Sequence, residues 1–304
     1  MFNFFFKKKI HSFYVETSFQ LLQVYELIKL ENIKNFKILI RLNHVVRNNQ
    51  QLRKLVKVLN LKDVKYVKTF KYNKINLIFL VFKVFISIIN SKKIYIEENC
   101  GVFKLLIIFF KKGKFVLIDD GIATLHKNLK FKSYDRFSIY NNISPKTRLN
   151  TFTNIKKLAL KNKTKKKSNI IVGSNYVEEN IIKQEIYFKM LRFIKSKTKT
   201  NRLIYIPHRN ENKKKLKIIQ NNFGITVTKT KLPIELLNYE LGVSPLVVHN
   251  TTSTAMFSMK LIYKKTKFIS YKFNNKHLIE RKKYILKFYK IMDNFKFIKK
   301  IQVD

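Results

Sequence analysis

KFVLIDDGIATL, residues 114–125, is the stretch around which the chain organises itself. Its β-branched and aromatic run, Phe115 to Ile118, stops abruptly at Asp119-Asp120-Gly121. Consecutive apolar residues bounded by turn formers predict a buried strand. Two carboxylates at its carboxyl end, followed by a permissive glycine, look like a site. Taken alone, Asp-Asp-Gly also reads as a solvated turn closing a strand.

Strand, polar turn and helix alternate on either side of this stretch. Residues 12–15 predict a strand, Glu16-Thr17-Ser18 a turn, and residues 19–30 a helix, with Leu21, Leu22, Tyr25, Leu27 and Ile28 at helical spacing. Further strands are expected at 36–42, 64–70 and 93–96, and a helix at 49–59. Residues 73–89, NKINLIFLVFKVFISII, are interrupted by Lys83 and too short to span a bilayer. They predict a core helix, with membrane-surface contact through basic and aromatic residues as a second reading. Between residues 140 and 169 the pattern dissolves into NNISPKTRLN and KNKTKKKSN, which reads as a domain connection. Alternation then resumes, with strands at 170–172, 203–206 and 225–228, a last central strand at 246–248, and helices at 176–194, 213–221, 234–241 and 253–263. The expected class is α/β: two Rossmann-like domains, residues 1–150 and 151–304, each with a mostly parallel sheet. They would face a cleft, with ligands at the carboxyl ends of the strands.

Lys and Arg number 64 against 18 Asp and Glu, a formal net charge of +46. That excess favours an anionic partner: nucleic acid, an acidic membrane surface, or an acidic sugar and its nucleotide. The joint abundance of Lys, Asn, Ile, Phe and Tyr, with little Gly or Pro and no Trp, also fits an AT-rich coding sequence. Cys100 is the only cysteine, so neither an intramolecular disulfide nor a multi-Cys zinc site is expected, and a reducing, cytoplasmic setting is. The opening MFNFFFKKKI has too short an apolar run for a signal peptide or a span.

Four segments place polar groups just after predicted strands: Glu16-Thr17-Ser18-Phe19-Gln20, Asp119-Asp120-Gly121, Pro207-His208-Arg209 and Asn250-Thr251-Thr252-Ser253-Thr254. In an open α/β sheet such positions converge on one edge. Ser253 and Thr254 open a helix, where backbone N–H groups and the positive dipole end favour phosphate; an ordinary N-cap reads the same way. His208 follows a loop-fixing proline and has the chemistry to meet a departing phosphate, or is an exposed bystander. His249 on a strand is expected to be structural. Glu235, after Pro233, offers a carboxylate for ribose hydroxyls or a favourable charge in a first helical turn, and the latter reading also serves Glu178 and Glu179. The glycines are scattered, so no Gly-rich phosphate loop is present, and no metal-ligand spacing is seen.

Taken in order, YVETSFQLL, LIDDGIATL, YIPHRNE, LPIELL and NTTSTAM resemble the bacterial GT-B type sialyltransferases, in particular the polysialyltransferase and lipooligosaccharide sialyltransferase group. That group carries an acidic-acidic-Gly motif, a His-Pro motif and a late Ser/Thr motif in this order. The resemblance spans about residues 12–263. It implies a GT-B fold and inverting, metal-independent transfer of sialic acid from CMP-sialic acid, with no cofactor, to a hydroxyl of a cell-surface glycan, as in polysialic acid extension. By position, Asp119 is the general base, His208 meets the phosphate, Ser253 and Thr254 bind it, and Glu235 holds the ribose. Thr17, Gln20, Asp120, Gly121, Pro207 and Arg209 complete the expected substrate-binding set. Arg209 stands after His208 where the group has proline, and Pro207 precedes it instead. The residues alone do not rank Asp119 above Asp120; the resemblance does.

A donor that leaves as a phosphate needs anion stabilisation on one side and a base for the incoming hydroxyl on the other, as in inverting glycosidases. The partners expected are a CMP-sugar, an anionic or lipid-linked glycan acceptor, and the inner face of the cytoplasmic membrane by peripheral contact. Another CMP-activated ulosonic acid is the near alternative. A basic nucleic-acid-binding protein is the alternative from another class, and no recognised RNA or DNA motif supports it.

Overall fold

Parallel strands separated by helices run through both halves of the chain. The computed structural model describes residues 10–69, 74–126, 131–141, 143–198 and 203–304. The N-terminal residues 1–9, Phe70 at the end of the third expected strand and Asn73 at the start of the expected apolar helix lie outside them. Two compact units meet at the Ile155/Lys156 boundary.

The first unit runs β1 (Ile10–Val15), α1 (Ser18–Leu30), β2 (Phe36–Leu42), α2 (Val46–Val58), β3 (Val64–Lys68), α3 (Lys74–Ile88), β4 (Ser91–Glu97), α4 (Gly101–Leu106), β5 (Phe115–Ile118), β6 (Asp135–Ser138) and β7 (Thr147–Leu149). Its sheet has the order β3-β2-β1-β4-β5-β6-β7, and every pairing is parallel. All four residues of β5 are buried, which is what a strand covered on both faces requires. α1 begins at a capping box: Thr17 Oγ1 accepts from Gln20 N–H at 3.3 Å, while Gln20 Oε1 accepts from Thr17 N–H at 3.2 Å.

α5 (Thr153–Ala159) carries the chain across the boundary. The second unit continues β8 (Lys166–Val172), α6 (Gln184–Lys197), β9 (Leu203–Ile206), α7 (Lys213–Phe223), β10 (Thr226–Val227), α8 (Leu237–Leu241), β11 (Val243–Asn250), α9 (Ala255–Ile262), β12 (Lys267–Phe273), α10 (Lys282–Asp293) and β13 (Ile298–Val303). Its parallel sheet has the order β10-β9-β8-β11-β12-β13.

Numbered within each unit, both sheets run 3-2-1-4-5-6, with one further edge strand in the first. This is the dinucleotide-binding, Rossmann order. The chain winds outward from the first strand in one direction, then returns to its other side. That reversal places a crevice at the carboxyl ends of β1 and β4 in one unit and of β8 and β11 in the other.

The structure corrects four expectations. Residues 140–169 are not a featureless connection, because they hold β7, α5 and the start of β8. The expected helix at 176–194 begins only at Gln184. Ile181 N–H turns back to Tyr176 O, Asn180 adopts φ +49°, and Ile279 and Glu280 donate to Ile181 O and Asn180 O. Glu178 and Glu179 consequently lie in that loop instead of a first helical turn, paired with Lys215 at 2.9 Å and Arg281 at 2.6 Å. β11 is central but not last, since β12 and β13 extend the sheet beyond it. Finally, α3 is a core helix on one side only: Leu80, Val81, Val84 and Ile88 are buried, and Ile78, Phe79, Phe82 and Ile86 are exposed.

Candidate functional site

β5 delivers Asp119 and Asp120 to the carboxyl edge of the first sheet, and Gly121 turns the chain there with φ +64°, which a side chain would strain. The two carboxylates differ sharply. Asp119 is 2% exposed, and its Oδ2 accepts from Ile139 N–H at 2.8 Å, just beyond β6. Burial pushes its carboxyl up to about 7, against the opposing pull of the Ile139 and Ser138 hydrogen bonds and the Arg136 guanidinium. Asp120 is partly exposed; its N–H donates to Thr124 Oγ1 at 3.0 Å and its Oδ1 accepts from Gln20 Nε2 at 3.4 Å.

α1, entering from β1, fixes this turn. Gln23 Nε2 donates to Asp119 O at 3.0 Å, and Asp119 N–H donates to Gln23 Oε1 at 3.2 Å. Gln20 thus has two duties, closing the capping box with Thr17 and reaching Asp120. Thr17 serves the cap. Beside it, Glu16 pairs with Arg41 at 2.8 Å and accepts from Tyr14 OH at 2.9 Å.

In the second unit, the loop after β11 is built around Asn250. Its Oδ1 accepts from Ser253 N–H at 2.6 Å, and its Nδ2 donates to Val172 O at 3.3 Å on neighbouring β8. Ser253 Oγ accepts from Ala255 N–H at 3.2 Å, so the hydroxyl works as a helix cap. Thr254 makes no side-chain cap bond. Two N–H groups expected to be open to an anion, those of Ser253 and Ala255, are therefore met by side chains of the chain itself. Tyr176 OH bonds Thr252 Oγ1, tying the loop after β8 to the loop after β11.

Glu235 is buried beside the same helix: Ser258 Oγ, one turn into α9, donates to its Oε1 at 2.6 Å. Burial raises its carboxyl, the Ser258 hydrogen bond opposing. The structure thus brings Glu235 against α9 at Ser258, a turn past Ser253 and Thr254. His208 and Arg209 follow β9, two strands from β11 along the same edge, about 10 Å by strand spacing. Pro207 is buried, His208 partly exposed and Arg209 exposed.

Sequence reasoning singled out neither Gln23 nor Glu211. Glu211 anchors the His208 loop: its Oε2 accepts from His208 N–H at 2.5 Å, and its Oε1 meets Lys215 Nζ at 2.7 Å and the Tyr205 hydroxyl. Burial raises its carboxyl, Lys215 opposing. A Cβ on Gly173 would stand 2.2 Å from Glu211 Oε2, so glycine at the end of β8 makes room for the anchor. The available signal was Glu211 with Lys215 four residues on. His249 is structural, as expected: its Nδ1 lies 2.9 Å from Tyr271 OH, and burial lowers it to about 4. Among the described residues no group of three His, Cys, Asp or Glu side chains gathers as a metal ligand set.

No protein-family model matches the chain, and no curated protein sequence is detectably similar. Solved structures do match. The S. aureus MnaA-UDP co-structure is 10% identical with TM-score 0.61, covering 94% of this chain and 87% of that one. The UDP-GlcNAc 2-epimerase from Neisseria meningitidis bound to UDP-GlcNAc is 12% identical with TM-score 0.56, covering 81% and 78%. An α/β-galactoside α-2,3-sialyltransferase from Photobacterium phosphoreum is 13% identical over 97% and 99%, at TM-score 0.49, and no argument rests on it. The fold is GT-B, each unit being one of its two Rossmann-like domains.

Proposed function

We propose that this GT-B chain is an inverting glycosyltransferase that moves sialic acid from CMP-sialic acid to a hydroxyl of a cell-surface glycan, without a metal. What supports the reading is the ordered set of motifs at strand ends, above all the pairing of Glu235 with the first turns of α9 on a sheet of Rossmann order. On the second unit, Ser253 and Thr254 take the donor phosphate at the positive end of α9. Ser253 Oγ, which accepts from Ala255 N–H, donates its own proton to a phosphate oxygen, and Glu235 takes the ribose hydroxyls. His208, on the loop that Glu211 holds, hydrogen-bonds the departing phosphate.

On the first unit, Asp119 is the general base. The acceptor oxygen bonds to the anomeric carbon as the bond from that carbon to the phosphate oxygen breaks, CMP departs, and Asp119 takes the hydroxyl proton. A carboxyl pushed up to about 7 is suited to that transfer, because near neutral pH it is partly ionised and more basic than an ordinary carboxylate. The more exposed Asp120, steadied by Gln20, orients the acceptor.

One observation favours a second reading within the fold. The neighbours with the higher TM-scores are described with UDP or UDP-GlcNAc, which points to a UDP-sugar donor. Calorimetric titration with CMP and with UDP separates the two. The sialyltransferase reading expects CMP to bind the more tightly and CMP-sialic acid to yield a sialylated product by mass across an acceptor panel. Tighter UDP binding and no such product would replace it with the UDP-sugar reading.

A further inference from the structure

The exposed side of α3 is a continuous apolar stripe. Ile78, Phe79, Phe82, Ile86 and Ile89 are all exposed, Phe79 at 62% and Phe82 at 60%. At 3.6 residues per turn the four within α3 fall within about 100° of arc, opposite the buried Leu80, Val84 and Ile88, and Ile89 follows just past the end of the helix. The turn after α4 extends the stripe: Ile108 and Phe109 are 72% and 62% exposed, and the Phe109 ring meets Phe85 of α3 at 5.4 Å between centroids. Isolated exposed apolar residues are normal on a protein surface; a contiguous patch of them marks an interaction.

Charge identifies what covers it. From residue 74 to residue 114 the chain carries eight lysines and two carboxylates, Glu97 and Glu98, and both carboxylates are buried. Lys83 lies on the edge of the stripe, and Lys104, Lys111 and Lys112 are exposed around the α4 end. Lys114 Nζ sits 5.2 Å above the Phe110 ring. A second copy of this face would set lysines against lysines with no exposed carboxylate to offset them. An anionic bilayer instead offers phosphates to the ammonium groups and an acyl boundary to the rings, while the lysine stems lie along the apolar surface. No helix among the described residues is long and apolar enough to cross a membrane, so the contact is one of interfacial depth.

We propose that the α3 stripe, continued by Ile108 and Phe109, docks this protein onto an anionic lipid bilayer. The assignment goes beyond the transfer reaction and rests on none of its residues. Its test reads no turnover, so its failure and the failure of the sialyltransferase reading remain distinguishable. The full chain is sedimented with phosphatidylcholine vesicles, with and without phosphatidylglycerol, at low and high salt. Binding to the phosphatidylglycerol vesicles is expected. Phe79→Ser with Phe82→Ser should lower that partition about tenfold or more at an unchanged thermal midpoint, because both rings are exposed. Ile108→Ser with Phe109→Ser tests the adjoining element in the same way. Undiminished binding by both double variants overturns the proposal, since attraction then owes nothing to this stripe. A wild-type chain that stays in the supernatant overturns it as well, and a dimer on size exclusion that the Phe79/Phe82 variant turns into monomer makes a second copy the occupant instead.

Discussion

The side-chain amide of Gln23 holds both backbone groups of Asp119, donating to its carbonyl at 3.0 Å and accepting from its N–H at 3.2 Å. The helix after the first strand thereby sets the turn after the fifth. Gln23→Leu keeps the volume and leaves two buried backbone groups of Asp119 without that partner. A loss of about 2–4 kcal/mol is expected on chemical denaturation, accompanied by slower transfer.

Asp119 and Asp120 are separable by substitution. Asp119→Asn retains an acceptor for Ile139 N–H but not the proton affinity, and turnover should fall by roughly two to four orders of magnitude while nucleotide binding persists. Asp120→Asn should cost less than about tenfold. The opposite ranking in steady-state kinetics would move the base to Asp120.

Asp119 also has a signature in pH. Its folded value of about 7 lies above that of an ordinary carboxylate, so the folded chain binds this proton more tightly than the unfolded one. Its contribution to stability is full below about pH 4 and is lost as pH rises through about 7, a span of roughly 4 kcal/mol. Stability measured across that interval should decline more steeply in the wild type than in Asp119→Asn. On the proposed mechanism, in which Asp119 must be ionised to act as base, the transfer rate should climb over the same interval and level off beyond it.

Gly173→Ala places a methyl group 2.2 Å from Glu211 Oε2 and 2.7 Å from the Tyr205 hydroxyl. Displacing Glu211 releases the N–H of His208. A destabilisation of about 1–3 kcal/mol is expected by denaturant titration, with a fall in transfer greater than the fall in nucleotide affinity.

Ser253→Ala with Thr254→Ala should weaken CMP binding about tenfold or more by calorimetry. Ser258→Ala removes a hydrogen bond from the buried Glu235 carboxylate and lies a turn deeper, so its expected effect is on stability, about 1–3 kcal/mol, more than on affinity. Equal affinity in the Ser253/Thr254 variant would take the phosphate away from this helix start.

The strands that carry the candidate site were legible because a parallel strand buried on both faces reads as an unbroken apolar run, as FVLI and LIYI do. β6 and β7, DRFS and TRL, are short and polar, and nothing in their composition separates them from loop. β12 and β13, KFISYKF and IKKIQV, set lysines among their apolar residues, so neither an unbroken apolar run nor a clean alternation marks them as strands. α3 misled in the other direction: apolar residues all around a helix imply full burial, and only packing reveals which side lacks a partner. The positions of Asp119, His208 and Ser253 in the segments that follow strands follow from topology. The difference between Asp119 and Asp120 does not, because Ile139 and Gln23, which create it, arrive from distant segments.

The order in which these strands pair has a consequence for synthesis. β1 emerges first, yet its second partner, β4, begins only at Ser91; β8 likewise waits for Val243. During translation each founding strand therefore has one hydrogen-bonding edge open while most of its unit is still being made. Long-range parallel pairing closes slowly. A chain with 64 basic residues keeps such half-built intermediates apart by mutual repulsion, which makes solubility during folding one use of its charge that requires no ligand at all.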